Sequence, residues 1–66
     1  MIAPEPKPTV KLTGHDGNAF SIMGRVKRAL LNAGADKEYT DQYIGEATSG
    51  DYNNLLSVSM RYANIE

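Results

Sequence analysis

Ala19-Phe20-Ser21-Ile22-Met23-Gly24-Arg25-Val26-Lys27-Arg28-Ala29-Leu30-Leu31-Asn32-Ala33 is the stretch that decides the fold class. Its apolar residues at 19, 22, 23, 26, 29, 30 and 33 recur at the three-and-four spacing of one helical stripe, and Ser21, Arg25, Arg28 and Asn32 line the opposite side. The pattern predicts an amphipathic helix over 19–33. Phe20 and Leu31 stand about 20° apart in projection down such a helix, and with Gly24 between them they make a second apolar strip. The helix is therefore expected to touch two neighbours. Gly24 costs about 1 kcal/mol relative to alanine in a helix interior. Close approach of another backbone and simple tolerance account for it equally well.

Working toward the C-terminus, Asn32-Ala33-Gly34 closes this helix, and Gly34 suits the left-handed stop position. Asp36 then caps a second helix, with Glu38 in its first turn against the positive end of the dipole. Tyr39 or Thr40, Tyr43 or Ile44, and Ala47 give that helix its inward stripe, and Thr48-Ser49-Gly50 ends it. The two helices are expected to form a hairpin. Ser49 or Asp51 can cap a third segment, where Tyr52, Leu55, Leu56, Met60 and Ala63 keep helical spacing. Within it, Ser57-Val58-Ser59-Met60-Arg61-Tyr62 alternates like a strand. Only helical geometry buries both Leu55 and Leu56 on one face, which favours a helix over about 51–61 and a short closing strand at Ala63-Asn64-Ile65.

Working back toward the N-terminus, Gly14-His15-Asp16-Gly17 reads as a turn, with Asn18 or Asp16 placed to cap the long helix. Before it, Thr9-Val10-Lys11-Leu12-Thr13 alternates polar and apolar residues with β-branched enrichment, which predicts a short strand with Val10 and Leu12 inward. Prolines at 4, 6 and 8 remove three amide donors and exclude helix or central strand. Residues 1–8 are thus read as a flexible proline-rich lead-in, and 9–66 as one small domain. Pairing Ile65 beside Val10 and Leu12 gives a β-α-α-α-β order: an α+β fold, mostly helical.

Composition narrows the chemistry. The 66 residues are 41% apolar and 23% charged, the balance of a folded domain, and they include no cysteine. Disulfides, thiolate ligands and thiol nucleophiles are excluded at once, and a chain of this size without such staples points to a reducing, cytoplasmic location. The opening residues have no run resembling a signal peptide, and no stretch reaches the roughly 18 apolar residues that span a membrane. A net charge of −1 supplies no long-range pull toward nucleic acid, so any such binding rests on local clustering.

Three clusters are candidates. His15, Asp16, Gly17 and Asn18 set an imidazole, a carboxylate and an amide at a strand-to-helix junction, a place for a small ligand or anion. A turn plus a cap explains them more simply, because the spacing matches neither a phosphate loop nor a dinucleotide fingerprint. Metal binding by His15 and Asp16 with Glu46 or Asp51 has a thin ligand set, and Ser21, Ser49, Ser57 and Ser59 read as capping or solvent-facing residues rather than nucleophiles. No enzyme and no cofactor is expected. Arg25, Lys27 and Arg28 are the only basic cluster and are candidate phosphate contacts, although no lysine arm or stacking aromatic supports nucleic-acid binding. Tyr39, Tyr43, Tyr52 and Tyr62 serve either as core residues with hydroxyls at its edge or as partner anchors, with Tyr39 and Tyr43 the candidate surface.

Asp16-Gly17-Asn18-Ala19-Phe20, Gly24-Arg25-Val26, Ala33-Gly34 and Glu46-Ala47-Thr48-Ser49-Gly50-Asp51-Tyr52 with Leu55-Leu56 together resemble a family of small uncharacterised bacterial and phage proteins. The resemblance covers about residues 9–66 and departs at Tyr62-Ala63-Asn64-Ile65-Glu66, where the family pattern ends in alternating valines. It implies organisation without chemistry, since no activity, cofactor or catalytic residue comes with it. The expectation is a non-enzymatic accessory or regulatory interaction module of phage or mobile-element type. Its partner is expected to be a protein or a second copy in a homodimer, with a nucleic-acid-binding regulator as the alternative.

Overall fold

The computed structural model describes residues 1–12 and 17–66. In chain order its elements are β1 (Thr9–Val10), α1 (Ala19–Asn32), α2 (Lys37–Ala47), α3 (Tyr52–Tyr62) and β2 (Asn64–Ile65). The two strands form a parallel sheet with Val10 opposite Ile65, which is the β-α-α-α-β arrangement the sequence predicts. The ladder runs past the two-residue strands. Asn64 N–H donates to the Pro8 carbonyl, Glu66 N–H to Val10 and Leu12 N–H to Glu66, at 2.8 to 2.9 Å. The strand expected over 9–13 is thus shorter as regular structure, and Thr13 lies outside the described residues.

Each helix begins at an amide or carboxylate side chain that satisfies an otherwise orphaned backbone donor. Asn18 accepts from Phe20 N–H at 2.8 Å, Asp36 from Tyr39 N–H at 2.9 Å and Asp51 from Asn54 N–H at 2.9 Å. The stop of α1 depends on Gly34, whose φ of 103° is open to glycine and strained for other residues. That conformation lets Gly34 N–H reach the Leu31 carbonyl and Ala35 N–H reach the Leu30 carbonyl, the paired bonds of a Schellman stop. Residues 1–8 run beside this junction: Glu5 N–H donates to the Ala33 carbonyl and Asp36 N–H to the Ile2 carbonyl.

Between the helices, α1 contributes Ile22, Met23, Val26 and Leu30 to the core, α2 contributes Thr40, Tyr43 and Ala47, and α3 contributes Leu55, Val58, Ser59 and Tyr62. Two expectations for α3 change. Tyr52 and Met60 lie at the surface, because burying Leu55 with Tyr62 rotates the inward stripe onto Val58 and Ser59. Ser59, read as capping or solvent-facing, is fully buried, and its Oγ lies 2.7 Å from the Tyr43 hydroxyl. Each hydroxyl gives the other the partner that burial removes from water.

Tyr62 joins α3 to α2 at the edge of this core. Its ring stands edge-on to Tyr39 and Tyr43, with centroids 5.4 and 5.2 Å away. Its hydroxyl donates to Glu46 and accepts from the Gln42 amide, while Arg61 reaches the other Glu46 oxygen at 3.0 Å. The Tyr62 bond is the main reason the Glu46 carboxyl titrates below the ordinary carboxylate range, and burial with the same bond holds the Tyr62 phenol above its ordinary range. Both shifts keep the proton on tyrosine. A depressed carboxyl stabilises the fold above its unfolded value and loses that contribution as pH falls through the folded value. In Tyr62→Phe, the Glu46 side-chain carbon should therefore titrate at higher pH by NMR, and acid unfolding should start at higher pH than in the parent. An unmoved Glu46 titration would show that the bond does not hold the carboxylate.

Candidate functional site

The turn cluster is only partly described. His15 and Asp16 lie outside the described residues, so the ligand or anion site expected there is not defined by what surrounds it. Gly17 and Asn18 both have structural work: the Gly17 carbonyl accepts from the Tyr52 hydroxyl at 2.6 Å, and Asn18 caps α1. Among the described residues no group of three His, Cys, Asp or Glu is placed to hold a metal ion, and no helix is long and apolar enough to cross a membrane.

The tyrosine surface separates into two parts. Tyr43 is fully buried among α1, α2 and α3, so it is a core residue and not a partner contact. It loses that role because the helix turns Thr40, Tyr43 and Ala47 inward, leaving Tyr39 and Ile44 at the edge. Tyr39 is half-buried against Tyr62 and offers only its margin.

The basic cluster is what the fold leaves open. Arg25, Lys27 and Arg28 are all exposed, and α1 carries no acidic residue along its length. Lys11, just beyond β1, joins Arg25, Arg28 and Asn32 around one hollow. On the other flank, Lys27 and Arg28 border a second hollow with Gly24, Leu31 and Asn32. The charges are segregated along the chain: five of its seven cations precede residue 36, and six of its eight carboxylates lie from Asp36 onward. A nearly neutral protein therefore has one basic helical face.

Through that face runs the second apolar strip. It is not covered: Phe20 is 81% and Leu31 43% exposed, whereas the buried residues of the helix, Ile22, Met23, Val26 and Leu30, all belong to the first stripe. Gly24 sits between them, and a Cβ built on it would meet nothing within 4 Å. No close approach among the described residues requires a glycine there. The same holds for Gly45 on α2, but its exposed neighbours one turn away, Asp41 and Gln42, are polar. Both Gly24→Ala and Gly45→Ala should raise stability by about 0.5–1 kcal/mol in urea unfolding, since each removes backbone entropy from the unfolded chain at an unobstructed helical site. A loss of stability in either variant would mean that the glycine serves the fold.

No protein-family model, curated protein or solved structure matches this chain. Its class is given by its own architecture: a small, mostly helical α+β domain in which one helix carries an uncovered strip of apolar residues between cations.

Proposed function

We propose that this protein is a non-enzymatic accessory module of the cytoplasm that binds a macromolecular partner through the outer face of α1. The reading rests on one observation: Phe20 and Leu31 lie exposed on the same face as Lys27 and Arg28, while the core of the domain is complete without them. Scattered surface apolar residues are ordinary; an aligned pair bordered by cations is the composition of a recognition surface. An accessory role of phage or mobile-element type agrees with the resemblance of the 9–66 segment. A protein is favoured over nucleic acid because the strip is apolar along its middle, although Lys11 beside Arg25 and Arg28 gives the nucleic-acid reading one more phosphate contact than the sequence offered.

Position-specific crosslinking tests this in the source cell. A photoreactive phenylalanine analogue at position 31 should crosslink to a discrete protein species, and one at Asn53, on exposed α3 surface, should not. Equal yields at both positions would remove α1 as the contact. Adducts to nucleic acid at position 31 would replace the protein reading with the regulator.

A further inference from the structure

We infer that the partner presents an acidic amphipathic helix, which crosses α1 at Gly24 with its apolar residues on Phe20 and Leu31 and its carboxylates toward Lys27 and Arg28. This inference rests on the binding reading above and names the partner's chemistry. Gly24 marks the crossing point. It lies one turn after Phe20 and two turns before Leu31, within the uncovered strip, and none of the described residues occupies the space where its Cβ would stand. Helix axes packed side by side lie about 8–10 Å apart, and small residues at the crossing permit the shorter distances. A helical glycine unused by its own domain, between two exposed apolar anchors, fits a crossing point with another helix.

Charge selects which helix. Lys27 and Arg28 form no ion pair among the described residues and border the same hollow as Gly24 and Leu31. No helix of a second copy joins carboxylates to exposed large apolar side chains: α3 exposes Tyr52 and Met60 but carries no acidic residue. The copy's own α1 would bring the same cations against these, and its acidic helix, α2, exposes only Lys37, Glu38, Asp41, Gln42 and Gly45, with no apolar side chain for Phe20 and Leu31. The complementary surface therefore belongs to a different chain, with carboxylates beside an apolar stripe.

The test is an amide-resolved NMR titration of the labelled full chain with three probes: a synthetic leucine- and glutamate-based amphipathic helical peptide, the same peptide broken by two central prolines, and a short DNA duplex. The helical peptide should give saturable shifts at Phe20, Gly24, Lys27, Arg28 and Leu31. Gly24→Leu, checked for an intact spectrum, should weaken it by about tenfold or more, because the added side chain stands where the helix crosses. Gly45→Leu should bind as the parent does. Equal binding of the proline-broken peptide, or of Gly24→Leu, would overturn the helical mode while leaving the crosslinking result to judge the binding face. Shifts only with DNA, lost as salt rises, would overturn the acidic-helix partner altogether.

Discussion

Tyr43→Ala should leave the chain largely unfolded in buffer. The residue is the largest of the fully buried side chains, it stacks edge-on against Tyr62, and its hydroxyl is the partner of buried Ser59. Truncating a buried aromatic to alanine costs about 3–5 kcal/mol, and a single core in a domain below 70 residues supplies about 3–5 kcal/mol in all. The two quantities match, so circular dichroism should show loss of most helical signal and a flat thermal scan. Tyr43→Phe separates the ring from the hydroxyl. It keeps the packing and leaves the Ser59 Oγ without a partner, a loss of about 1–3 kcal/mol. Adding Ser59→Ala should recover part of that loss, because both halves of the polar pair are then gone. A cooperative transition in Tyr43→Ala at the parent's midpoint would contradict the buried placement of this ring.

The second large effect contrasts neighbours in sequence. Leu30→Ala should destabilise by about 2–5 kcal/mol, the range for emptying a packed leucine site, because Leu30 is fully buried in the α1 stripe. Leu31→Ala should change stability by less than about 0.5 kcal/mol, as surface substitutions do, and instead weaken binding of the helical peptide. Urea titrations of the two variants give the comparison directly. Similar losses in both would mean that Leu31 is covered and that the strip belongs to the core.

These two positions also show what a sequence can and cannot convey. The helix boundaries were legible because their determinants are local: Asn18, Asp36 and Asp51 act on amides two or three residues away, and the Gly34 stop closes within five. The strand pair was legible from alternation at Val10 and the apolar Ile65. The face of α2 is not, since Tyr39 and Ile44 flank the inward Thr40, Tyr43 and Ala47 on opposite sides, a small rotation either way would bury one of them more deeply, and tyrosine suits either environment. The burial of Ser59 is not legible for a related reason: a buried hydroxyl needs a specific partner, and that partner stands sixteen residues away on another helix. Apolarity alone places Phe20 and Leu31 against a second neighbour inside the fold, but the rule that buried residues are apolar holds in only one direction. Lys11 could not be joined to Arg25 and Arg28 until the sheet had set it beside α1. The interlock of Gln42, Glu46 and Tyr62 likewise required both helices in place.

The parallel pairing of β1 with β2 has a consequence for how the molecule comes apart. Joining Val10 to Ile65 closes a loop of more than fifty residues, for which the length-dependent entropy, roughly (3/2)RT ln n, is about 3.5 kcal/mol. A handful of ladder hydrogen bonds, each worth about 1 kcal/mol net, barely offsets it. The strands stay together because three packed helices have already brought them within reach, and the pair has little standing of its own. It works as a latch that follows the core: once any helix leaves it, the ends are no longer held within reach of each other and part.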